Sequence, residues 1–262
     1  MNSPSESYFD ACEIALARVR ARRDAIAAAA DRFAETILAG RMVHLFGSGH
    51  SRILVEEMWP RYGSFPGFNP IVELSLTFHN LVVGANGQRQ AMFLENVSGL
   101  AARILRNFAL DAADSALVVS SSGTNVVPVE MAEEFRRRGV FVAALVSADH
   151  AAASESKRAD GRKLTDFADV VLDTGAPAGD AGVAIEGLAE KVAPLSTVGG
   201  CMVVNAIKAE IAARLTAAGQ PPRVLAAANQ VGNARATELF ESAYDEHARR
   251  LAKLYAGLGD ES

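Results

Sequence analysis

Five short apolar runs alternate along the chain with longer segments whose apolar residues recur every third or fourth position. The runs Met42–Phe46, Ser115–Val119, Val140–Ser147 and Asp169–Asp173 read as buried strands, and Ile71–Val72 closes a short second one. The periodic segments read as helices. Ser3-Pro4-Ser5-Glu6 is a capping box with proline at the first helical position, opening a helix to about Arg22; Ile26, Ala30, Phe33 and Ile37 mark a second, closed by Gly40. Further helices are predicted from Arg52 to Trp59, stopped by Pro60, from Glu95 to about Phe108, and from Val126 to Arg138. A long one is predicted from Gly187 to about Ala218, and a last one from Ala234 to Tyr255 after a turn at Asn229–Asn233. Gly63–Pro70 is turn-rich, and Gly175–Gly182 is a loop carrying Asp180. Glu73–Gln90 has no period and is long enough to cover a site, while Lys157–Lys163 reads as a solvated connection. Strands alternating with helices predict a doubly wound α/β domain, a five-stranded parallel sheet flanked by helices. It forms one domain over 1–262: a core of about 41–215, N-terminal helices over 1–40, and a C-terminal loop and helix over 222–262.

Two of the strand-to-helix turns carry chemistry. Ser115–Val119 feeds Ser120-Ser121-Ser122-Gly123-Thr124-Asn125, and Met42–Phe46 feeds Gly47-Ser48-Gly49-His50-Ser51. The first helical turn has unpaired N–H groups and partial positive charge, which suit an anion, and serine and threonine hydroxyls add rotatable donors. At the carboxyl edge of one parallel sheet the two turns would converge on a crevice. Asn125 is placed as an N-cap, Pro128 falls in the first helical turn, and Arg136–Arg138 with Gly139 close the helix. A dinucleotide fingerprint would need a third glycine where Arg52 stands, so dinucleotide binding is a minor alternative. The bland alternative is an ordinary loop whose serines only cap a helix.

Composition narrows the partners. Half of the 262 residues are hydrophobic, enough for one well-buried domain, and a net charge of -5 argues against a general nucleic-acid surface. An anion site must therefore be local. Cys12 and Cys201 show no framework spacing, no signal peptide is visible, and Val192–Ile207 is too short and polar to span a bilayer. A cytoplasmic protein without membrane partner, metal or cofactor is expected. The alanine-rich N-terminal helices and Gly199-Gly200 point to close packing and to a homodimer or larger homo-oligomer.

With these residues in place, the chain resembles the sugar isomerase (SIS) domain family of phosphosugar-binding proteins. Gly47-Ser-Gly-His-Ser51 resembles its first turn, Ser120-Ser-Ser-Gly-Thr-Asn125 its Ser-x-Ser-Gly-x-Thr/Ser turn, and Leu195-Ser196-Thr197 the Ser-Thr pair opening its late helix. The match spans roughly Arg41 to Leu215. Gly123–Ala132 and Lys191–Thr197 look closer still to a subgroup of single-domain, phosphoheptose-isomerase-like proteins. The resemblance implies a flavodoxin-like sheet and a sugar-phosphate ligand. It implies phosphate contacts from Ser48, Ser51, Ser120, Ser121, Ser122, Thr124 and Asn125, and further substrate contacts from Gly47, Gly49, His50, Ser196 and Thr197. Asn125 stands where many relatives carry Thr or Ser, which leaves one hydroxyl fewer.

Isomerisation needs a base beside the carbonyl and a proton shuttle between oxygens. Glu57, in Glu57-Met-Trp-Pro-Arg61-Tyr62, is similar to the acid/base glutamate of heptose-phosphate isomerases and is the leading candidate. His79 and Glu190 follow, His50 is placed to orient a ligand, and His44 is a core histidine. Those isomerases also use a late-helix histidine, and here none lies between His150 and His247. Two readings remain: a sugar-phosphate isomerase or related enzyme working through an enediol-type intermediate, and a sugar-phosphate sensor that acts on a partner protein.

Overall fold

The computed structural model describes residues 3–77 and 87–256. Two helices come first, α1 (Pro4–Ala21) and α2 (Arg23–Leu38), and Ser3 caps α1 by accepting the Glu6 N–H at 3.2 Å. The strands follow as β1 (Val43–Gly47), β2 (Phe68–Ile71), β3 (Ser115–Val119), β4 (Phe141–Val146) and β5 (Val170–Asp173). They form one parallel sheet in the order β2-β1-β3-β4-β5. The doubly wound, flavodoxin-like sheet predicted above is therefore the observed one.

Both faces of the sheet are covered. Leu45, Leu117, Leu145 and Leu172 point to one side, against α1, α2, α3 (Arg52–Met58) and the long helix α8 (Ser196–Ala217). Phe46, Val118 and Ala144 point to the other, against α5 (Leu100–Leu105) and α6 (Val126–Arg137). This period of two on a doubly buried sheet explains why the strands read as unbroken apolar runs. Phe33 of α2 is fully buried and meets Phe141 edge-on at 6.2 Å; burying such a side chain contributes about 1.5–3 kcal/mol.

Three boundaries depart from the sequence reading. The second strand ends at Ile71 as expected but takes Phe68–Pro70 from the turn-rich stretch, and Pro70 is tolerated because β2 is an edge strand. The helix expected from Glu95 to Phe108 shortens to α5, and a separate helix, α4 (Gln88–Leu94), lies ahead of it. They are parted where Glu130 accepts bonds from the Ser98 hydroxyl and the Gly99 N–H. The late helix begins at Ser196, not near Gly187. The intervening residues form an antiparallel hairpin of β6 (Ala181–Val183) and β7 (Val192–Pro194), so Asp180 sits at the hairpin's base and Glu190 in its loop.

After β4 come the short helix α7 (Ala148–Ala153) and a segment leading to β5; the chain closes with α9 (Ala228–Val231) and α10 (Asn233–Tyr255). The paired glycines of α8 have an intramolecular reason. A Cβ on Gly199 would lie 1.8 Å from the Thr174 carbonyl oxygen, and one on Gly200 2.3 Å from Leu54 Cδ1. They let α8 press on the sheet and on α3, and so give no support to a subunit contact. Among the described residues no helix is long and apolar enough to cross a membrane.

Candidate functional site

The register Gly47↔Val119 brings the ends of β1 and β3 side by side, so the two hydroxyl-bearing turns share one carboxyl edge. In a sheet ordered 2-1-3-4-5 this is where the direction of winding reverses, and a crevice is left between the turns. A cavity of about 770 Å³ opens there, floored by Val119, Leu145 and Thr174.

The β3 turn presents hydroxyls and backbone amides to the cavity. Ser120 Oγ accepts the Gly123 N–H at 3.2 Å and closes the turn, while Ser122 Oγ and Thr124 Oγ1 lie 2.9 Å apart. Ser121 Oγ is buried with no hydrogen-bond partner among the described residues. Ser120, Ser121, Ser122, Thr124 and Asn125 all line the cavity. Asn125 has the extended backbone of an N-cap, but its side chain makes no capping bond; its Oδ1 accepts from Lys157 Nζ at 2.5 Å. Lys157 is exposed, as expected of a solvated connection, but it is also tied to the turn. Its N–H donates to the Thr124 carbonyl at 3.1 Å, and Leu164 N–H to that of Gly123 at 2.8 Å, which lays the segment across the turn.

The β1 turn contributes Ser48, Gly49, His50 and Ser51 to the same cavity. Gly47 lies behind it: a Cβ there would sit 2.7 Å from the Ser51 carbonyl oxygen, so this glycine lets the turn fold back instead of meeting a ligand. Ser48 Oγ donates to Glu95 Oε2 at 2.8 Å. Glu95 lines the cavity from the break between α4 and α5, and its carbonyl oxygen accepts the Val127 N–H of α6 at 2.8 Å. Burial pushes the Glu95 pKa up; bonds from Ser48 and Asn125 and the charge of Lys157 offset only part of that.

Residues 7–147 match the SIS domain family model, more than half of the chain. The chain belongs to the SIS domain family. This SIS protein is 35% identical over 256 residues to a UPF0309 protein of Brucella abortus (strain S19), covering 96% of this chain and 100% of that protein. A UPF0309 protein of Brucella canis is 36% identical over 232 residues, with 87% of this chain and 90% of the relative covered. Among solved structures, a phosphoheptose isomerase from Francisella tularensis superposes with a TM-score of 0.51 at 17% identity, covering 80% of this chain and 98% of that one. One from Neisseria gonorrhoeae gives 0.50 at 13%, covering 79% and 96%. At such identities these two establish the fold.

The SIS site gathers most of the residues read from the sequence and leaves two candidate acid/base groups, Glu57 and Glu190, outside its lining. Glu57 does not line the cavity. Its Oε1 accepts from Asn205 Nδ2 at 2.7 Å, its Oε2 pairs with Arg61, and its carbonyl accepts from Lys208 Nζ at 2.7 Å. Burial raises its pKa, but Asn205, Arg61 and Lys208 outweigh that and hold it below the ordinary value. Glu190 is exposed in the hairpin loop, and His79 lies outside the described residues. Ser196 and Thr197 line the cavity as expected, with the Ser196 hydroxyl already donated to Asp180 at 2.7 Å. His44 is a core residue: it is fully buried, accepts from Asn69 at Nδ1 at 3.0 Å, and faces Asp114 through Nε2 at 3.4 Å.

The lining residues that escaped the sequence reading include Glu95, Lys157, Asp180 and His150. For Glu95 a signal was present, since Asn96, Ser98 and Gly99 are breakers that place it at a helix end. Nothing local marks Lys157. Asp180 stood in a loop with no visible partner, and His150, whose Nδ1 is buried without a partner among the described residues, reads as a helix-start residue.

Proposed function

We propose that this SIS protein binds a sugar phosphate through the β3 turn and moves a proton on it with Glu95, as a sugar-phosphate isomerase or related acid/base enzyme would. The observation that carries this reading is the placement of one half-buried carboxylate of raised pKa in the cavity that the hydroxyl turn faces. A dianionic phosphate suits the start of α6, with the hydroxyls of Ser120, Ser122 and Thr124 as donors. The sugar then extends toward Ser48 and Glu95. A carboxylate whose pKa is raised toward neutrality is a stronger base, and in its neutral form a usable acid, so one group can take a proton beside a carbonyl and return it to the neighbouring carbon. This reading assigns the base to Glu95 in place of Glu57, whose carboxylate is occupied by Asn205 and Arg61. The phosphoheptose isomerases of the same fold agree with it in reaction class.

A second reading, a sugar-phosphate sensor, is favoured by one feature: α8 carries no histidine from Ser196 to Ala217, where the resemblance implies one for heptose isomerases. Thermal-shift measurements against sugar phosphates and the matching free sugars test the part common to both, because a ligand bound only by the native state raises its stability. Stabilisation is expected with the phosphate esters and not with the free sugars; equal shifts would contradict a phosphate-anchored site.

A further inference from the structure

The cavity is framed by the starts of two long helices, and only one of them is open to an anion. Both α6 and α8 begin at its wall, and each helix start carries partial positive charge. At α6 that charge is reinforced by Lys157, the only lysine or arginine among the described residues that line the cavity. At α8 it is already matched by an anion of the chain itself. Asp180 Oδ1 accepts the N–H groups of Ser196 at 2.6 Å and Leu195 at 3.1 Å, and Oδ2 accepts the Ser196 hydroxyl at 2.7 Å.

The position of Asp180 is enforced. Its φ of 68° is in the left-handed region, unusual for a residue other than glycine, and the β6–β7 hairpin holds it there. The hairpin is tied in turn to α1, where the Tyr8 hydroxyl donates to the Pro194 carbonyl at 3.1 Å. Glu95 and Glu155 also line the cavity, with His50 and His150, so among the described residues three carboxylates face one lysine.

Resting on the phosphate-anchored reading above, we infer that the site takes a sugar bearing one anionic group, and that Asp180 is the specificity residue that excludes a second. A ligand phosphate at α6 meets amides, hydroxyls and an ammonium. A second anion at the far end would meet a fixed carboxylate where a helix start would otherwise have received it, and like charges brought together with poor screening are an effective device for rejection. That end instead offers the Thr197 hydroxyl and carboxylate lone pairs, which suit sugar hydroxyls. The ligand class is therefore the phosphate monoester of a neutral or amino sugar; sugar bisphosphates and phosphorylated sugar acids are rejected.

The test is calorimetric titration of the wild type and of Asp180→Asn with inorganic phosphate, a hexose 6-phosphate, the matching 1,6-bisphosphate and the matching 6-phosphohexonate. Asparagine keeps an oxygen for the Ser196 N–H and removes the charge. The wild type is expected to bind the monophosphate at least about tenfold more tightly than either doubly anionic sugar. Asp180→Asn should bring the three within about threefold, with inorganic phosphate binding both proteins equally. The inference is overturned if the wild type binds the bisphosphate or the sugar acid as tightly as the monophosphate, a comparison that needs no variant. An unchanged preference in folded Asp180→Asn would remove the role of Asp180. Failure of inorganic phosphate and monophosphate alike to bind would instead overturn the phosphate anchor itself.

Discussion

The hydroxyl of Ser48 donates to the carboxylate of Glu95 at 2.8 Å, joining the turn after β1 to the break between α4 and α5. The main chain at Glu95 bonds to Val127 in the first turn of α6, so the same residue touches both halves of the crevice. On the proposed reading, Glu95 placed this way would be fixed relative to the phosphate through α6 and to the sugar through Ser48. Proximity of this kind is what an acid/base group must supply before its pKa matters.

Replacing Glu95 with Gln should lower turnover by about 10²–10⁴-fold while leaving ligand affinity within a fewfold. Glu57→Gln should change turnover little, because Glu57 is engaged by Asn205 and Arg61 outside the cavity. Steady-state kinetics on both variants, with binding measured separately, decides between them. Comparable losses in the two would return the base to Glu57.

The pH dependence has a definite sign. On the proposed reading the base form of Glu95 is the active one, so the rate should rise with pH through a pKa raised from the ordinary glutamate value by burial. The Ser48 bond favours the ionised form and lowers that pKa. Ser48→Ala should therefore move the ascending limb to higher pH. A limb that stays in place or moves down would show that the titrating group is not Glu95.

Ser122→Ala removes one hydroxyl from the turn, the one that lies 2.9 Å from Thr124 Oγ1. The thermal shift given by a sugar phosphate should shrink, with the unliganded Tm nearly unchanged. An undiminished shift would place the phosphate elsewhere.

Much of this architecture was legible because a parallel sheet buried on both faces writes its strands as apolar runs, and because Gly47–Ser51 and Ser120–Asn125 are local motifs. What was not legible depends on contacts distant in sequence. Glu95 reads as the first residue of a helix to Phe108; the breakers Asn96, Ser98 and Gly99 are local, but the bonds from Ser98 and Gly99 to Glu130 that delay the helix to Leu100 are not. Lys157 belongs to a charge-rich stretch that reads as solvated, and its backbone bond to Thr124 is a tertiary one. The late helix was started too early because Val192–Pro194 pairs with Ala181–Val183, and a two-strand hairpin this short leaves little periodicity to detect.

Gly199→Ala tests the contact behind the floor of the cavity. The added Cβ would sit 1.8 Å from the Thr174 carbonyl oxygen, a backbone atom that cannot swing aside. Overpacking of this kind costs about 1–3 kcal/mol or more, so a chemical denaturation midpoint should fall clearly. A neutral result would mean that α8 sits farther from β5.

Asp114 provides an acid-stability test away from the site. It is buried against His44 and Arg41; burial alone would raise its pKa, but the bonds from His44 and Arg41 bring it down from 3.8 to about 2. A depressed native pKa stabilises the fold above the unfolded value and ceases to do so as pH falls through the native one. The wild type should therefore lose on the order of 2 kcal/mol between about pH 4 and pH 2. Asp114→Asn should be less stable at neutral pH and flatter over that window in urea titrations. Parallel curves for the two proteins would contradict the assignment.

The central claim, that Glu95 moves a proton on a phosphate-anchored sugar, is tested most directly by solvent-deuterium exchange. A panel of ketose and aldose phosphates is incubated in D2O with the wild type and with Glu95→Gln, and the carbon beside the carbonyl is followed by NMR. The account predicts protein-dependent exchange on at least one sugar phosphate, absent with its free sugar and lost in Glu95→Gln although that variant still binds. Binding across the panel with no exchange, or exchange undiminished in Glu95→Gln, would contradict it.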